Sequence, residues 1–311
     1  MQALIPKLLE EGHEIIGYDI KVPNGKKNYE YHLKDLRFPG AIQTETFDMM
    51  IHAAAQIYGI VGFHRHGAEI LRGDIAATNE TIRASYNDNN NARYIFMSSS
   101  MVYERVRFLN AKAVSEQMPF DWAAPRTGYG FSKYAGERML IEMGNQYPNF
   151  KYTILRPFNI ITPYEKAHEE QGISHVFADF IEQIAIKKQF PLKIISPGTQ
   201  VRCFTWIEDV VKMMRAVISD PSPLGNGIYN LGNKEPISMF ELAKMIHRIS
   251  IDNFALDLPK HLEFAMAPAI QDDVMSRIPD VAKFTNDYGF QASVDTEEAI
   301  ETCIRYRFEN P

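Results

Sequence analysis

The stretch Tyr94-Ile95-Phe96-Met97-Ser98-Ser99-Ser100-Met101-Val102-Tyr103 restricts the fold more than any other. It is an apolar strand running into hydroxyls at its carboxyl end, where open α/β sheets place their ligands. Further apolar strands are expected over Glu14–Asp19, Phe47–Ala55, Tyr152–Asn159 and Ile228–Leu231. Between them lie helical runs: residues 2–11 closed by Gly12, a stretch through Ile70, Leu71, Ile75 and Ile82, an amphipathic run opening at Tyr129, a capped run over Ser238–Ile249, and a last run over Thr296–Phe308. Strands that alternate with helices predict an α/β fold with a parallel sheet.

The 311 residues can bury a large core as one domain or two intimately packed ones, and 45% hydrophobic with 23% charged residues is ordinary globular composition. A net charge of -6 and the lack of a basic stripe argue against nucleic acid as a partner. Lys26-Lys27 reads as a solvated turn. No apolar run is long enough to span a bilayer, so no membrane is expected. Cys203 and Cys303 give neither a disulfide framework nor a metal-ligand spacing, so no metal is expected and the cytoplasm is the default location.

Tyr129-Gly130-Phe131-Ser132-Lys133 places a phenol and an ammonium four residues apart, on one helix face. A cation there favours phenolate and is expected to lower the Tyr129 pKa from about 10 towards working pH, giving a side chain that takes a proton from a sugar hydroxyl and returns it. Among 15 tyrosines, Tyr-x-x-x-Lys alone is a weak signal. Its company with the Ser98–Ser100 strand end makes it a strong one.

With these motifs the chain resembles the extended short-chain dehydrogenase/reductases of the NAD-dependent nucleotide-sugar epimerase/dehydratase family, from residue 1 to about residue 308. The resemblance implies a Rossmann-like doubly wound parallel sheet, with a smaller α+β substrate-binding domain. Residues 1–160 would bind NAD, 202–233 would partly return to that domain, and 161–311 would form the substrate domain. It casts Ser99, Tyr129 and Lys133 as the catalytic set, Ser99 holding the reacting sugar oxygen and Lys133 the cofactor ribose. An acid closing the second strand, Asp19, would accept the adenosine ribose hydroxyls and favour NAD over NADP, the competing reading being a plain turn residue. Asp35 and Leu36 match the pair beside the adenine. Ala53, Ala54 and Ala55 match a small-residue run that lets cofactor backbone approach, while His52 reads as a packed, hydrogen-bonded histidine. Ser100 would line the substrate site. Asn159 of Arg156-Pro157-Phe158-Asn159 would meet a substrate diphosphate. Arg202, in Gly198-Thr199-Gln200-Val201-Arg202, and Arg277, in Asp272-Asp273-x-x-x-Arg277, would clamp its phosphates. His175 matches the place of an acid/base histidine in the GDP-sugar branch, a bland polar lining being the alternative. A homodimer is implied through the helix containing Ile70, Leu71, Ile75 and Ile82 and the helix from Tyr129.

Three departures matter. The family begins with a hydrophobic strand and a Gly-x-x-Gly-x-x-Gly turn, and Met1 aligns at about the last glycine. The expectation is a sheet lacking its first strand, from a late start or a truncation, and with it the backbone amides that meet the pyrophosphate. Asp74 stands where asparagine is usual. Ser100 and Met101 stand where dehydratases and decarboxylating synthases carry acids and where 3,5-epimerases carry a cysteine. The reading that remains is an NAD-dependent epimerase of a nucleotide-diphosphate sugar, working through a transient ketone at C4. A ketoreductase or dehydratase is its sibling. The reading of another class is a non-catalytic sugar-nucleotide-binding protein.

Overall fold

The computed structural model describes residues 1–22, 28–43, 46–87, 90–106, 113–121, 123–170, 172–220, 226–270 and 273–310. The expected Lys26-Lys27 turn and Asp272 of the Asp272-Asp273 pair lie outside the described residues. In chain order the first half comprises α1 (Leu4–Glu10), β1 (Ile16–Asp19), β2 (Glu30–Leu33), β3 (Met49–His52), α2 (Ile60–Arg65), α3 (Gly67–Ser85), the short β4 (Tyr86–Asn87) and β5 (Asn90–Asn91), β6 (Arg93–Met97), a 3-10 turn over Ser100–Val106, α4 (Met118–Asp121), α5 (Gly128–Gln146) and β7 (Tyr152–Pro157). There follow β8 (Ile160–Ile161), α6 (Val176–Ile181), β9 (Leu192–Ile195), β10 (Val201–Cys203), β11 (Thr205–Trp206), α7 (Ile207–Ile218), β12 (Gly227–Leu231), β13 (Pro236–Ser238), α8 (Met239–Asp252), β14 (Phe264–Ala267), β15 (Ser276–Arg277), α9 (Ala282–Tyr288) and α10 (Thr296–Glu309).

The fold is α/β. Its central sheet has the order β12-β7-β6-β3, parallel throughout. Tyr94, Ile95, Phe96, Ile154 and Leu155 are fully buried there, as near-continuous apolar runs between two helical layers should be. On one face, α1 and α7 cover Ile95, Leu155 and Leu231 with Leu4, Leu8, Val210, Met214 and Val217. On the other, Leu140 of α5 and Ile82 of α3 close over Phe96 and Ile154. A second core joins α6, the π-helical turn that follows it (Glu182–Ile186), α8 and α10 through Phe180, Ile184, Leu242, Ile246, Ile300 and Ile304. It carries the small sheet β13-β10-β15 and the pair β14-β9. Ser238 and Glu241 start α8 with a reciprocal capping box.

One sequence expectation is corrected. The Glu14–Asp19 strand was expected to be buried, but β1 pairs only with β2, in a two-stranded parallel ribbon, and Ile16 stays 37% exposed. Among the described residues no ladder joins this ribbon to β3, so the ribbon and β3 each keep an unpaired edge. The expected helix through Ile70, Leu71, Ile75 and Ile82 is α3, and the short α2 precedes it with the break at His66. There Gly67 meets Gly128 so closely that a Cβ on Gly128 would lie 2.1 Å from the Gly67 carbonyl oxygen. The absence of a side chain at Gly128 lets the start of α3 touch the start of α5, the helix that carries Tyr129.

Candidate active site

Every strand of the central sheet delivers its carboxyl end to one edge, and the polar residues gather there. Ser98 and Ser99 follow β6, Ala53–Ala55 follow β3, and Phe158 and Asn159 follow β7. The start of α5 is fixed from below by Glu104. Its Oε2 accepts from the Arg126 N–H, the Thr127 N–H and the Thr127 hydroxyl, each at 3.1 Å. Thr127 Oγ1 accepts the Gly130 N–H at 3.0 Å as the helix cap.

From this start Tyr129 and Lys133 face inward together, both buried. The Tyr129 ring stacks on Phe63 at 4.3 Å and 8°, and the Ser99 side chain acts on its hydroxyl to draw its pKa down. The Lys133 ammonium donates to the Met97 carbonyl at 3.1 Å and lies 5.1 Å from the centre of the Phe96 ring and 5.8 Å from that of Tyr129. The expected lowering of the phenol pKa is not found. Burial pushes Tyr129 up to about 12, with Ser99 pulling it down and Asp74 adding to the rise. Lys133 itself is held below its ordinary value by burial, against Asp74 and Glu137. Sharing a helix face aligned the two side chains, but desolvation at the site outweighs the cation.

Beneath the site lies a buried polar network. Arg156 binds Glu137 through Nε–Oε1 at 2.8 Å and Nη2–Oε2 at 2.6 Å, and Nη1 donates to the Tyr103 hydroxyl and the Glu116 carbonyl. Ser98 donates to Glu137 Oε1 at 2.5 Å. This network holds the β6 end under Ser99 and Tyr129. Sequence reasoning missed it, since Glu137 carries no spacing signal towards Arg156.

On the opposite wall, β10 and β15 are parallel neighbours with Arg202 and Arg277 in direct register. Arg202 is engaged by Asp273 at 2.9 Å and by the Val274 carbonyl at 2.6 Å. Arg277 faces the Met101 sulfur at 2.6 Å and Asn159 Oδ1 at 3.5 Å, and its Nε is buried with no hydrogen-bond partner among the described residues. Burial and the charge of Arg202 push its guanidinium down to about 9. Asn159 adopts φ of +29° and donates to the Cys203 carbonyl at 3.1 Å, tying the end of β7 to β10. Ser100 is buried at the start of the 3-10 turn.

His175 precedes α6 with its side chain 45% exposed, and its Nδ1 lies 2.8 Å from Glu165 Oε1, which also accepts the His175 N–H at 2.9 Å. Burial lowers the imidazole pKa, but the hydrogen bond and charge of Glu165 more than reverse this and raise it. Glu165 is a second residue the sequence did not reveal, ten positions away across a loop. His52 is buried, stacked on Phe96 at 5.4 Å, with Nε2 3.1 Å from Thr78 Oγ1, and burial depresses its pKa to about 3.

The cofactor candidates divide in two. Ala55 packs against Phe63, Ile70, Met101 and Tyr129, and so borders the phenol. On the ribbon side, Asp19 is exposed with Oδ1 accepting the Lys21 N–H at 3.0 Å. The Asp35 carboxylate is gripped by Arg37 through Nε and Nη2, at 2.6 Å for the closest pair, and this hydrogen bonding holds it below the usual carboxylate range. The Leu36 side chain is spent on a cluster with Ile42 and Ala77, against which Tyr18 and Ala54 also pack.

The model of the NAD dependent epimerase/dehydratase family matches residues 2–232 of this sequence. The chain belongs to this family. A putative UDP-glucose 4-epimerase of Methanocaldococcus jannaschii is 26% identical over 99% of this chain and 94% of its own length. A UDP-D-apiose/UDP-D-xylose synthase of Oryza sativa subsp. japonica is 24% identical over 58% of this chain, which spans about half, 48%, of that relative. The Thermus thermophilus UDP-glucose 4-epimerase in complex with NAD superposes with a TM-score of 0.79, at 20% identity, over 99% of this chain and 95% of that one. At that identity the likeness shows the fold alone. The epimerase/dehydratase membership makes NAD the group to test against the residues present, and they fit it. Lys133 spends one of its three donors on Met97, small residues follow β3, and an acid closes β1. Among the described residues no helix is long and apolar enough to cross a membrane.

Proposed function

We propose that this protein is an NAD-dependent epimerase of a nucleotide-diphosphate sugar, acting at C4 through a transient keto sugar. The observation that carries the reading is the buried Tyr129 phenol, influenced by Ser99 and flanked by Lys133, opposite the paired Arg202 and Arg277. Oxidising a sugar carbinol removes a proton and a hydride. NAD, when bound, would supply the hydride acceptor. Ser99 would hold the reacting oxygen and Tyr129 take its proton, returning it when the ketone is reduced on its other face. Arg277, whose buried Nε has no described partner, and Arg202 would hold the diphosphate, with Asn159 between them and His175 and Ser100 lining the sugar. UDP is the nucleotide to test first, because the named relatives act on UDP-sugars. We also infer a homodimer, supported by the apposition of the long helices α3 and α5 and the exposed Phe131, and a cytoplasmic location, supported by two buried free cysteines.

The test is calorimetric titration with NAD and with UDP-sugars, followed by a chromatographic assay for interconversion of UDP-glucose and UDP-galactose. NAD binding that is lost in Lys133→Ala, with epimer formation by the wild type, is the expected result. NADH consumed stoichiometrically with a keto-sugar nucleotide, without epimer formation, would make the protein a ketoreductase. UDP-sugar binding with no NAD binding would make it a binding module.

A further inference from the structure

Asp74 lies on the face of α3 turned towards the first turns of α5, 4% exposed. Its Oδ1 accepts the Gln56 N–H at 3.2 Å, and its Oδ2 lies 3.1 Å from Ser132 Oγ. Ser132 Oγ is also 2.8 Å from the Tyr129 carbonyl oxygen. A serine hydroxyl has one proton, and two acceptors compete for it here. The shorter contact is to Tyr129. If the proton goes there, an ionised Asp74 presents a lone pair to a lone pair in the interior, whereas a protonated Asp74 completes the chain.

We propose that Asp74 carries its proton at neutral pH and, as a neutral acid, is a positioning residue for Tyr129: its O–H donates to Ser132 Oγ, which donates to the Tyr129 carbonyl. A neutral carboxyl thus does what the amide of an asparagine would do, one oxygen accepting and the other side donating. The charged and titratable groups around it are Lys133 and Tyr129 on α5, His52 bound to Thr78, and Arg37, whose stem lies beside Gly73 and whose fork is taken by Asp35. Burial raises the Asp74 pKa and Lys133 only partly opposes this. Protonated, Asp74 places no negative charge near the Tyr129 phenol. Ionised, it would break the chain and oppose phenolate formation, which gives this site an alkaline limit that an amide would lack.

The effect on activity rests on Tyr129 being the proton-transfer residue, but the existence of the proton does not. Infrared difference spectra of the full chain, wild type against Asp74→Asn, are therefore the first test. A protonated-carboxyl C=O band in the wild type that shifts in D2O is expected, and its absence overturns the proposal. Urea unfolding from roughly pH 5 to roughly pH 8 gives a second reading. An acid with a raised folded-state pKa contributes stability that is full below its unfolded value of about 4 and is lost as pH rises towards the folded value. The midpoint of Asp74→Asn should accordingly gain on the wild type as pH rises, and a constant difference overturns the assignment. In kcat/KM, Asp74→Asn should stay within about threefold at neutral pH and persist at alkaline pH where the wild type falls, while Asp74→Leu loses about tenfold or more. An asparagine variant that declines at the same alkaline pH as the wild type overturns the alkaline limit. If the catalytic reading itself fails, no variant turns over, yet the infrared band and the unfolding midpoints still report the proton.

Discussion

The β6–β7 centre of the main sheet and the β1–β2 ribbon are both parallel strand pairs, yet they end in opposite environments. Ile95 and Phe96 are fully buried, whereas Leu33 in β2 is 57% exposed. The difference lies in the neighbours. β6 is paired on both sides and covered by helices on both faces, while β1 and β2 pair only with each other. The same contrast runs through the ion pairs. Arg156–Glu137 at 2.6 Å is wholly enclosed, and Arg37–Asp35 at 2.6 Å lies at the surface. Local sequence sets strand character, but the energy of each strand and charge pair is set by what closes over it.

The largest expected effect falls on the residue that the buried half positions. Tyr129→Phe should lower kcat by about 10²–10⁴ while leaving the melting temperature nearly unchanged, because only the hydroxyl is lost. Steady-state kinetics beside calorimetric melting would show it, and a comparable loss of stability would mean the hydroxyl is structural. Next, Glu137→Ala strands the buried Arg156 guanidinium and should cost about 3–5 kcal/mol in urea unfolding. Asp35→Ala should cost about 1 kcal/mol or less. Equal costs would break the contrast between the two pairs. Among apolar side chains, Ile95→Ala should cost about 2–5 kcal/mol and Ile16→Ala well under half of that. The smallest effect concerns His175. Its folded-state pKa is raised, so its stabilising contact with Glu165 is fully present below the ordinary histidine value of about 6.5 and is lost as pH rises through the folded value. An NMR titration of the imidazole should place the wild-type midpoint above that of Glu165→Gln, and coincident midpoints would remove Glu165 as its partner.

The family and the α/β class could be read from the sequence because both rest on local patterns: an apolar run ending in hydroxyls, and a tyrosine and a lysine one helical turn apart. The register of Arg202 against Arg277 could be suspected only through resemblance, since no local spacing relates them. The grip of Glu165 on His175 left no mark, and neither did that of Glu137 on Arg156. The phenol expectation failed for a related reason. Spacing tells which side chains share a face, but the pKa of Tyr129 depends on how much of the molecule closes over it, and that comes from Phe63, Ile70 and Met101 on other segments.

The short β10–β15 ladder joins residues far apart in the chain through only two residue pairs, and one of those pairs sets two guanidinium groups side by side. So short a ladder has few backbone bonds to keep it closed, and Asp273 offsets only part of the repulsion between the two guanidinium groups. An anion spanning both groups would turn repulsion into a shared attachment, so ligand affinity should be legible as slowed amide hydrogen exchange at Val201–Cys203 and Ser276–Arg277. The seam would then act as a clasp whose strength is set by its occupant.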